Sequence, residues 1–574
     1  MESNLTLLLT SCCPVVVTVL IFNWLNSREG RRKIQRARLR RDTSLQNAEN
    51  AVQQFREQYP DQEPDLILSL SLPELTKKLK EGSLNPDTVL HTYMGKALEV
   101  NRKLNCATEF LLESCEQLGE AETHREGLLY GVPVSIKDNF GCKGHDSTCG
   151  VICKLEQPVD VDSVLVQVLK RQGAIPFVKT NVPQGLLNYD CSNPIFGQTV
   201  NPHNPQKTSG GSSGGEGALI AGGGSILGFG SDIGGSIRIP ASFCGICGFK
   251  PTFNRLSLLG ASSCCRGQKT VKSSLGPMAR DVNSLALCMK ALLCEDMFAL
   301  DPSVPPVPFN EQVYSSSRPL RIGYYESDDY QQASPSMRRA VREVKELLEE
   351  AGHTLVPFSL PRLTYAMHQL FVRGVLGDGG ATLLSNLKGG PIDPCLRSQT
   401  LPYSLPIVIK KILSFLLWPV YPRMAETMAA ICGTGSVQKL WRNYADLEDY
   451  FYEFIEEWKK RDLDVLLSPA LGPAYNFGYC GKLTCAISYT AFWNALGFPA
   501  GVVPVSTVTD ADEEELKHYK GNYRDVWDRF FKQAVTGSQG LPVAVQCIAL
   551  PWKDELCLRF MKEVEQLVRD NPNK

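Results

Sequence analysis

Apolar and polar positions alternate along this chain in patterns that change character several times. No charged residue occurs from Ser3 to Ser27, and Leu5 to Leu25 is apolar enough and long enough to cross a bilayer as one helix. Pro14 would kink such a helix without forbidding it. TSLQNAENAVQQFREQY (43–59) then reads as a polar helix stopped by Pro60, and SLPELTKKLKEG (71–82) as a short helix. In the second, Ser71 (or Ser69) is placed to cap, Leu72, Leu75 and Leu79 stand near helical spacing, and Gly82 can end the helix. GLLYGVPVSIKD (127–138) has the β-branched, glycine-bounded look of a buried strand. VDSVLVQVLKRQG (161–173) predicts an amphipathic helix, and AIPFVKTN (174–181) a strand after it. DLDVLLSPAL (462–471), FPAGVVPVSTV (498–508) and GLPVAVQCIALP (540–551) read as central strands buried on both faces. The alternation predicts an α/β chain whose mixed sheet is covered by helices.

IVIKKILSFLLW (407–418), bounded by Pro406 and Pro419, is too short to span a bilayer. Ile409, Ile412, Leu413 and Leu416 fall on one helical face, and Lys410, Lys411 and Ser414 on another. That pattern suits insertion into one leaflet, and periodicity alone fits a core helix equally well.

Charge and composition narrow the picture. Eight basic residues between Arg28 and Arg41 follow the N-terminal apolar run, opposed only by Glu29. A cleaved signal peptide would carry its positive charges ahead of the apolar stretch, so the order predicts an uncleaved anchor over 1–27. By the positive-inside rule the body then faces the cytosol. Residues 28–59 read as a basic linker and polar helix, and 60–574 as the main body. Sixty basic against 61 acidic residues give no nucleic-acid signature. The 20 cysteines are scattered, as expected of reduced, mostly buried thiols. Cys244-Gly-Ile-Cys247 is a lone CxxC without the second pair a zinc site wants. Val304-Pro-Pro-Val-Pro308 reads as a plain loop, although an SH3-type groove also takes such runs.

The densest chemistry lies in GGSSGGEGALIAGGGSILGFGSDIGGSIRIP (210–240). Glycine inside regular structure costs about 1 kcal/mol relative to alanine, so this run is suited to presenting backbone N–H groups to a ligand beside a nucleophile. Gly210-x-Ser212-x-Gly214 also matches the nucleophile elbow of an α/β-hydrolase, but the polar NPHNPQKTS (201–209) before it is no strand. The seven histidines (91, 124, 145, 203, 353, 368 and 518) lie in no recognisable partner motif.

Taken with Lys137 at the end of GVPVSIKD, the motifs GGSSGG and DIGGSIRIP resemble the signature of the amidase signature family of serine hydrolases, from about residue 60 to the end. The resemblance implies the amidase signature fold, with Ser236 as nucleophile, Lys137 as base and Ser212 bridging them. Lysine is a useful base only when neutral, and burial favours that form. The N–H groups of Ile233, Gly234, Gly235 and Ser236 are implied as oxyanion donors, with a cis peptide bond before Ser212. Leu186 matches a position that lines the site through its backbone and commonly holds methionine. Asp232 and Arg238 read as a structural ion pair. Lipid-hydrolysing members of the family carry a membrane cap where 407–418 stands, which makes about 399–428 the cap segment here. The same resemblance implies no metal or organic cofactor and a homodimer. The anchor and cap together point to a lipid amide substrate, N-acylethanolamines and primary fatty acid amides, cleaved by a single-pass endomembrane protein. Small polar amides, or a non-catalytic amidase-like subunit, are the competing readings.

Overall fold

The expected strands assemble into one large sheet in the computed structural model, which describes residues 2–484 and 486–572, with side-chain surroundings from residue 28. In chain order the first seven are β1 (Ala107–Phe110), β2 (Pro133–Lys137), β3 (Ile175–Thr180), β4 (Ser192–Asn193), β5 (Gly197–Gln198), β6 (Leu227–Asp232) and β7 (Cys247–Lys250). The rest are β8 (Ser274–Ala279), β9 (Arg321–Tyr324), β10 (Thr354–Pro357), β11 (Val465–Pro469), β12 (Ala500–Thr507) and β13 (Pro542–Ala549). Eleven of them pair in the order β1-β3-β2-β6-β8-β7-β12-β13-β11-β9-β10, while β4 and β5 form a separate hairpin. The sheet is mixed. β2 runs parallel to β3 and β6, and β9 parallel to β10 and β11; the remaining pairs are antiparallel.

Successive side chains of a strand point to opposite faces. Val465 and Leu467 accordingly enter one apolar core and Leu466 another, so β11 is buried on both sides as its unbroken apolar run predicts. Helix Leu72–Glu81 starts at Ser71 with a reciprocal capping box to Glu74 and ends at Gly82 in the left-handed region. The 304–308 segment is irregular chain pinned by the Arg255 guanidinium, which donates to the Val307 carbonyl. Cys244 and Cys247 are separate buried thiols.

One expectation changes. The basic stretch 28–41 is helix, continuous with the polar segment in Glu2–Gln58, rather than a linker. Its arginines explain why it holds a defined place: Arg40 pairs with the buried Asp146 at 2.5 Å, and Arg38 Nε donates to the Ile195 carbonyl at 2.7 Å. Ala48 and Val52, further along, join the main core. The anchor expected over 1–27 lies, in its side chains, outside the described residues. Among the described residues no single helix is long and apolar enough to cross a membrane.

For Ile407–Leu417 the structure decides between the two readings that periodicity left open. Two of its polar residues face inward: Lys410 is buried, with Nζ 3.4 Å from the Ile431 carbonyl, and Ser414 Oγ donates to the Ala425 carbonyl at 2.8 Å, while Lys411 stays exposed. Both contacts fasten it to helix Pro422–Ala430. The apolar face therefore points out, leaving Val408 63%, Phe415 79% and Leu416 61% exposed. It follows Pro394–Ser404 across a 97° bend.

Candidate active site

β2 and β6 lie side by side and parallel at the middle of one half of the sheet, and both deliver chemistry at their C-terminal ends. Lys137 is the last residue of β2. Its ammonium is fully buried, and Nζ lies 2.7 Å from Ser212 Oγ, 3.0 Å from Ser231 Oγ and 3.2 Å from the Ser231 carbonyl. Burial, only partly opposed by the Asp232 carboxylate, pushes this amine down to about 7. A lysine neutral at physiological pH and in contact with a hydroxyl can accept its proton.

The GGSSGG segment carries Ser212 to that position. Gly211–Ser212 is a cis peptide bond, as the resemblance implies. Helix Gly214–Ala221 follows at once, packed so closely that a Cβ on Gly215 would sit 2.3 Å from the Asn181 amide nitrogen. The Ser213 amide donates to the Ser236 carbonyl at 3.1 Å, tying this segment to the turn after β6.

That turn, from Ile233 to Ile237, is built on Asp232. The Asp232 carboxylate accepts N–H bonds from Gly235 at 2.7 Å and Ile237 at 3.0 Å. It also holds Arg238 through Nε at 3.1 Å and Nη2 at 3.0 Å. Arg238 reaches on to Gln546 and Asn494, so the buried pair is fully hydrogen-bonded and structural, as expected. Burial alone would raise the Asp232 carboxyl; the guanidinium outweighs it and holds the group well below the usual carboxylate range. Gly235 has φ 126°, and a Cβ there would stand 2.3 Å from Thr490 Oγ1. Thr490 Oγ1 meanwhile donates to the Gly234 carbonyl at 2.6 Å.

One expected donor drops out. The Gly235 N–H is committed to Asp232, because the carboxylate that shapes the turn needs it. The N–H groups of Ile233, Gly234 and Ser236 have no acceptor among the described residues. Ser236 is half-buried and lines a cavity of about 340 Å³ together with Gly211, Ile233 and Gly234. No hydrogen bond joins the Ser212 and Ser236 hydroxyls among the described residues; catalytic contacts of this kind commonly tighten only with substrate in place. Leu186 also lines the cavity, with a left-handed backbone at φ 63°. The rest of the wall is mostly apolar, with Asn188, Gln399, Thr427 and Lys482 among its polar members, and includes Phe371, Leu376, Met424, Met428 and Ile431, the last three on or just after helix Pro422–Ala430.

Two features escaped the sequence reading. Glu216, on helix Gly214–Ala221, is fully buried, with Ser135 Oγ at 2.5 Å and Thr180 Oγ1 at 2.8 Å. Burial, against those two bonds, pushes its carboxyl up to about 8. Four of the seven histidines have carboxylate partners. His91, His145, His353 and His368 each meet a carboxylate, and His368 lies 2.5 Å from Glu426 and 2.8 Å from the hydroxyl of Tyr330 on the cavity wall. No motif could reveal these pairs, because most of the partners are distant in sequence. None hydrogen-bonds to Ser212 or Ser236 among the described residues.

Comparison with known proteins agrees with this geometry. Residues 88–558 match the model of the Amidase family. The chain is 52% identical to fatty-acid amide hydrolase 1 of Sus scrofa over 558 residues, covering 97% of this chain and 96% of that one. It is 40% identical to fatty acid amide hydrolase 1 of Caenorhabditis elegans, covering 92% of this chain and 93% of that one. A solved structure of a fatty acid amide hydrolase superposes with TM-score 0.76 at 26% identity, covering 93% and 94% of the two chains. A peptide amidase from Stenotrophomonas maltophilia shares the fold, with TM-score 0.63 at 20% identity and coverage of 87% and 97%. On this combination of family match, near-full-length identity and shared fold, the chain belongs to the amidase signature family of hydrolases.

Proposed function

We propose that this protein hydrolyses fatty acid amides at a membrane surface, cleaving N-acylethanolamines such as anandamide and primary amides such as oleamide to the free fatty acid and amine. The observation that carries the reading is one cavity lined both by Ser236 with its glycine turn and by Met424, Met428 and Ile431 beside the cap helix. An apolar cavity of this kind suits an acyl chain, and the outward apolar face of Ile407–Leu417 suits the surface of a bilayer from which such a chain would come. The expected anchor over 1–27 would hold the body on the cytosolic side of an endomembrane. The names and identities of the relatives support the same substrate class.

In this reading Ser236 Oγ attacks the amide carbonyl while its proton passes to Ser212, whose own proton moves to neutral Lys137. The oxyanion is held by the N–H groups of Ile233, Gly234 and Ser236. As the tetrahedral intermediate collapses, the C–N bond breaks and Ser212 returns a proton to the leaving nitrogen, recovering its own from Lys137. Water then cleaves the Ser236 ester and releases the acid. The residues named need no metal or organic cofactor for these steps. Homodimerisation would set two cap helices side by side on one bilayer.

The test is a series of N-acylethanolamines from acetyl to arachidonoyl with detergent-solubilised full-length protein. kcat/KM rising steeply with chain length is the expected result. A flat or falling series would turn the substrate search to small polar amides, and absence of turnover throughout would favour a non-catalytic role.

A further inference from the structure

A second cavity, of about 520 Å³, lies against the other side of the same elements and shares no lining residue with the first. The helical turn Ala366–Val372 separates them: Met367 and Phe371 face the candidate active site, whereas Gln369 faces the second cavity, as does Arg373 just beyond. Its wall carries four cationic side chains: Arg373, Lys411 of the cap helix, and Lys439 and Arg442 of helix Val437–Lys460. Asp446 is the one acidic residue in the lining.

Like charges gathered without counter-ions repel, and folded surfaces normally pair or disperse them. None of these four enters an ion pair among the described residues, and Arg373 Nε is buried without a hydrogen-bond acceptor. The cavity thus offers more donors and positive charge than the protein itself satisfies. An anion with several acceptor oxygens, such as a phosphate group, would match these donors and this charge.

The surroundings decide which phosphate. Lys411 belongs to the helix whose exposed face carries Val408, Phe415 and Leu416, and Trp441 and Val437, beside Lys439 and Arg442, are 69% and 63% exposed. Apolar side chains including a tryptophan beside a basic pocket are the arrangement found where a protein meets lipid head groups. We propose that this cavity binds the phosphate head group of an anionic phospholipid, as a lipid site separate from the one that hydrolyses substrate. The proposal rests on the membrane contact argued above, and it adds that the contact is selective for anionic lipid and localised in this pocket.

The experiment measures co-sedimentation of full-length protein with vesicles of phosphatidylcholine alone, and with vesicles of phosphatidylcholine containing phosphatidylserine. Wild-type protein should bind both and prefer the second. In K439Q/R442Q, whose two sites are exposed, the preference should fall roughly thirty-fold while binding to neutral vesicles stays, since each basic side chain at such a surface contributes about fivefold. A thermal melt confirms that this variant is folded. R31Q/R32Q, in the N-terminal basic stretch, serves as control for general attraction. If K439Q/R442Q keeps the wild-type preference, or if R31Q/R32Q alone removes it, the proposal is overturned. If F415S/L416S loses neither kind of binding, the cap reading fails, whatever the basic pair does. Inorganic phosphate distinguishes the remaining source: stabilisation of wild type but not of K439Q/R442Q, with vesicle preference equal in the two, would make the cavity a site for free phosphate and overturn its assignment to lipid.

Discussion

The burial of Lys137 makes the pH dependence of hydrolysis a sharp prediction. Desolvation brings its amine from the ordinary 10.5 to about 7. At 1.36 kcal/mol per unit, this disfavours the ammonium by roughly 5 kcal/mol relative to water. An ordinary lysine at pH 7 is neutral in only about one molecule in three thousand, whereas here about half are neutral. Only the neutral amine can take the proton from Ser212, so activity must rise with pH through the folded-state value. Between pH 5 and 7, kcat/KM for a soluble short-chain amide should climb about tenfold per unit and level off near pH 8. Lys137→Ala should be slow and should lack this limb. The stability linkage carries its own sign. The unfolded chain binds more protons than the folded one between about 7 and 10.5, so Lys137 makes stability increase with pH across that window. A flat profile from pH 5 to 8, or the same limb persisting in Lys137→Ala, would refute the assignment of Lys137 as base.

Other expectations follow from the same geometry. Gly235→Ala places a Cβ 2.3 Å from Thr490 Oγ1 at φ 126°, so turnover should fall by at least a hundredfold in purified, folded protein; near-normal kcat would show that the turn tolerates distortion. Arg238→Ala leaves Asp232 buried without its cation and should cost about 3–5 kcal/mol in urea unfolding; a loss under about 1 kcal/mol would mean that water replaces it. Because the relay returns a proton to the leaving amine, Lys137→Ala should slow amide hydrolysis more than ester hydrolysis of matched acyl chain, and equal losses would remove that role.

What the sequence discloses and what it conceals divide along physical lines. The strands β2, β3, β11, β12 and β13 were legible because unbroken β-branched runs between glycine and proline have few other uses. The Lys137–Ser212 contact was legible only through the resemblance, since 75 residues separate the pair and no local pattern encodes their meeting. The helix through Arg28–Arg41 was missed because a basic run reads as solvated chain until Asp146 and the Ile195 carbonyl are known to face it. On the cap helix, periodicity separated the two faces and left open which of them is buried. Which face is buried depends on Ala425 and Ile431, one helix away. The commitment of the Gly235 N–H to Asp232, and the burial of Glu216, are likewise properties of the assembled turn rather than of its residues in order.

The central claim is that Ser236 forms the acyl-enzyme and that the Lys137–Ser212 pair activates it. The most direct measurement is mass-spectrometric mapping of the full-length protein after reaction with a fluorophosphonate, in wild type and in Ser236→Ala, Ser212→Ala and Lys137→Ala. The account predicts a single adduct on the peptide at Ser236, absent in Ser236→Ala and much slower to form in the other two. An adduct at Ser212 instead, or labelling of Ser236 at an unchanged rate without Lys137, would contradict it.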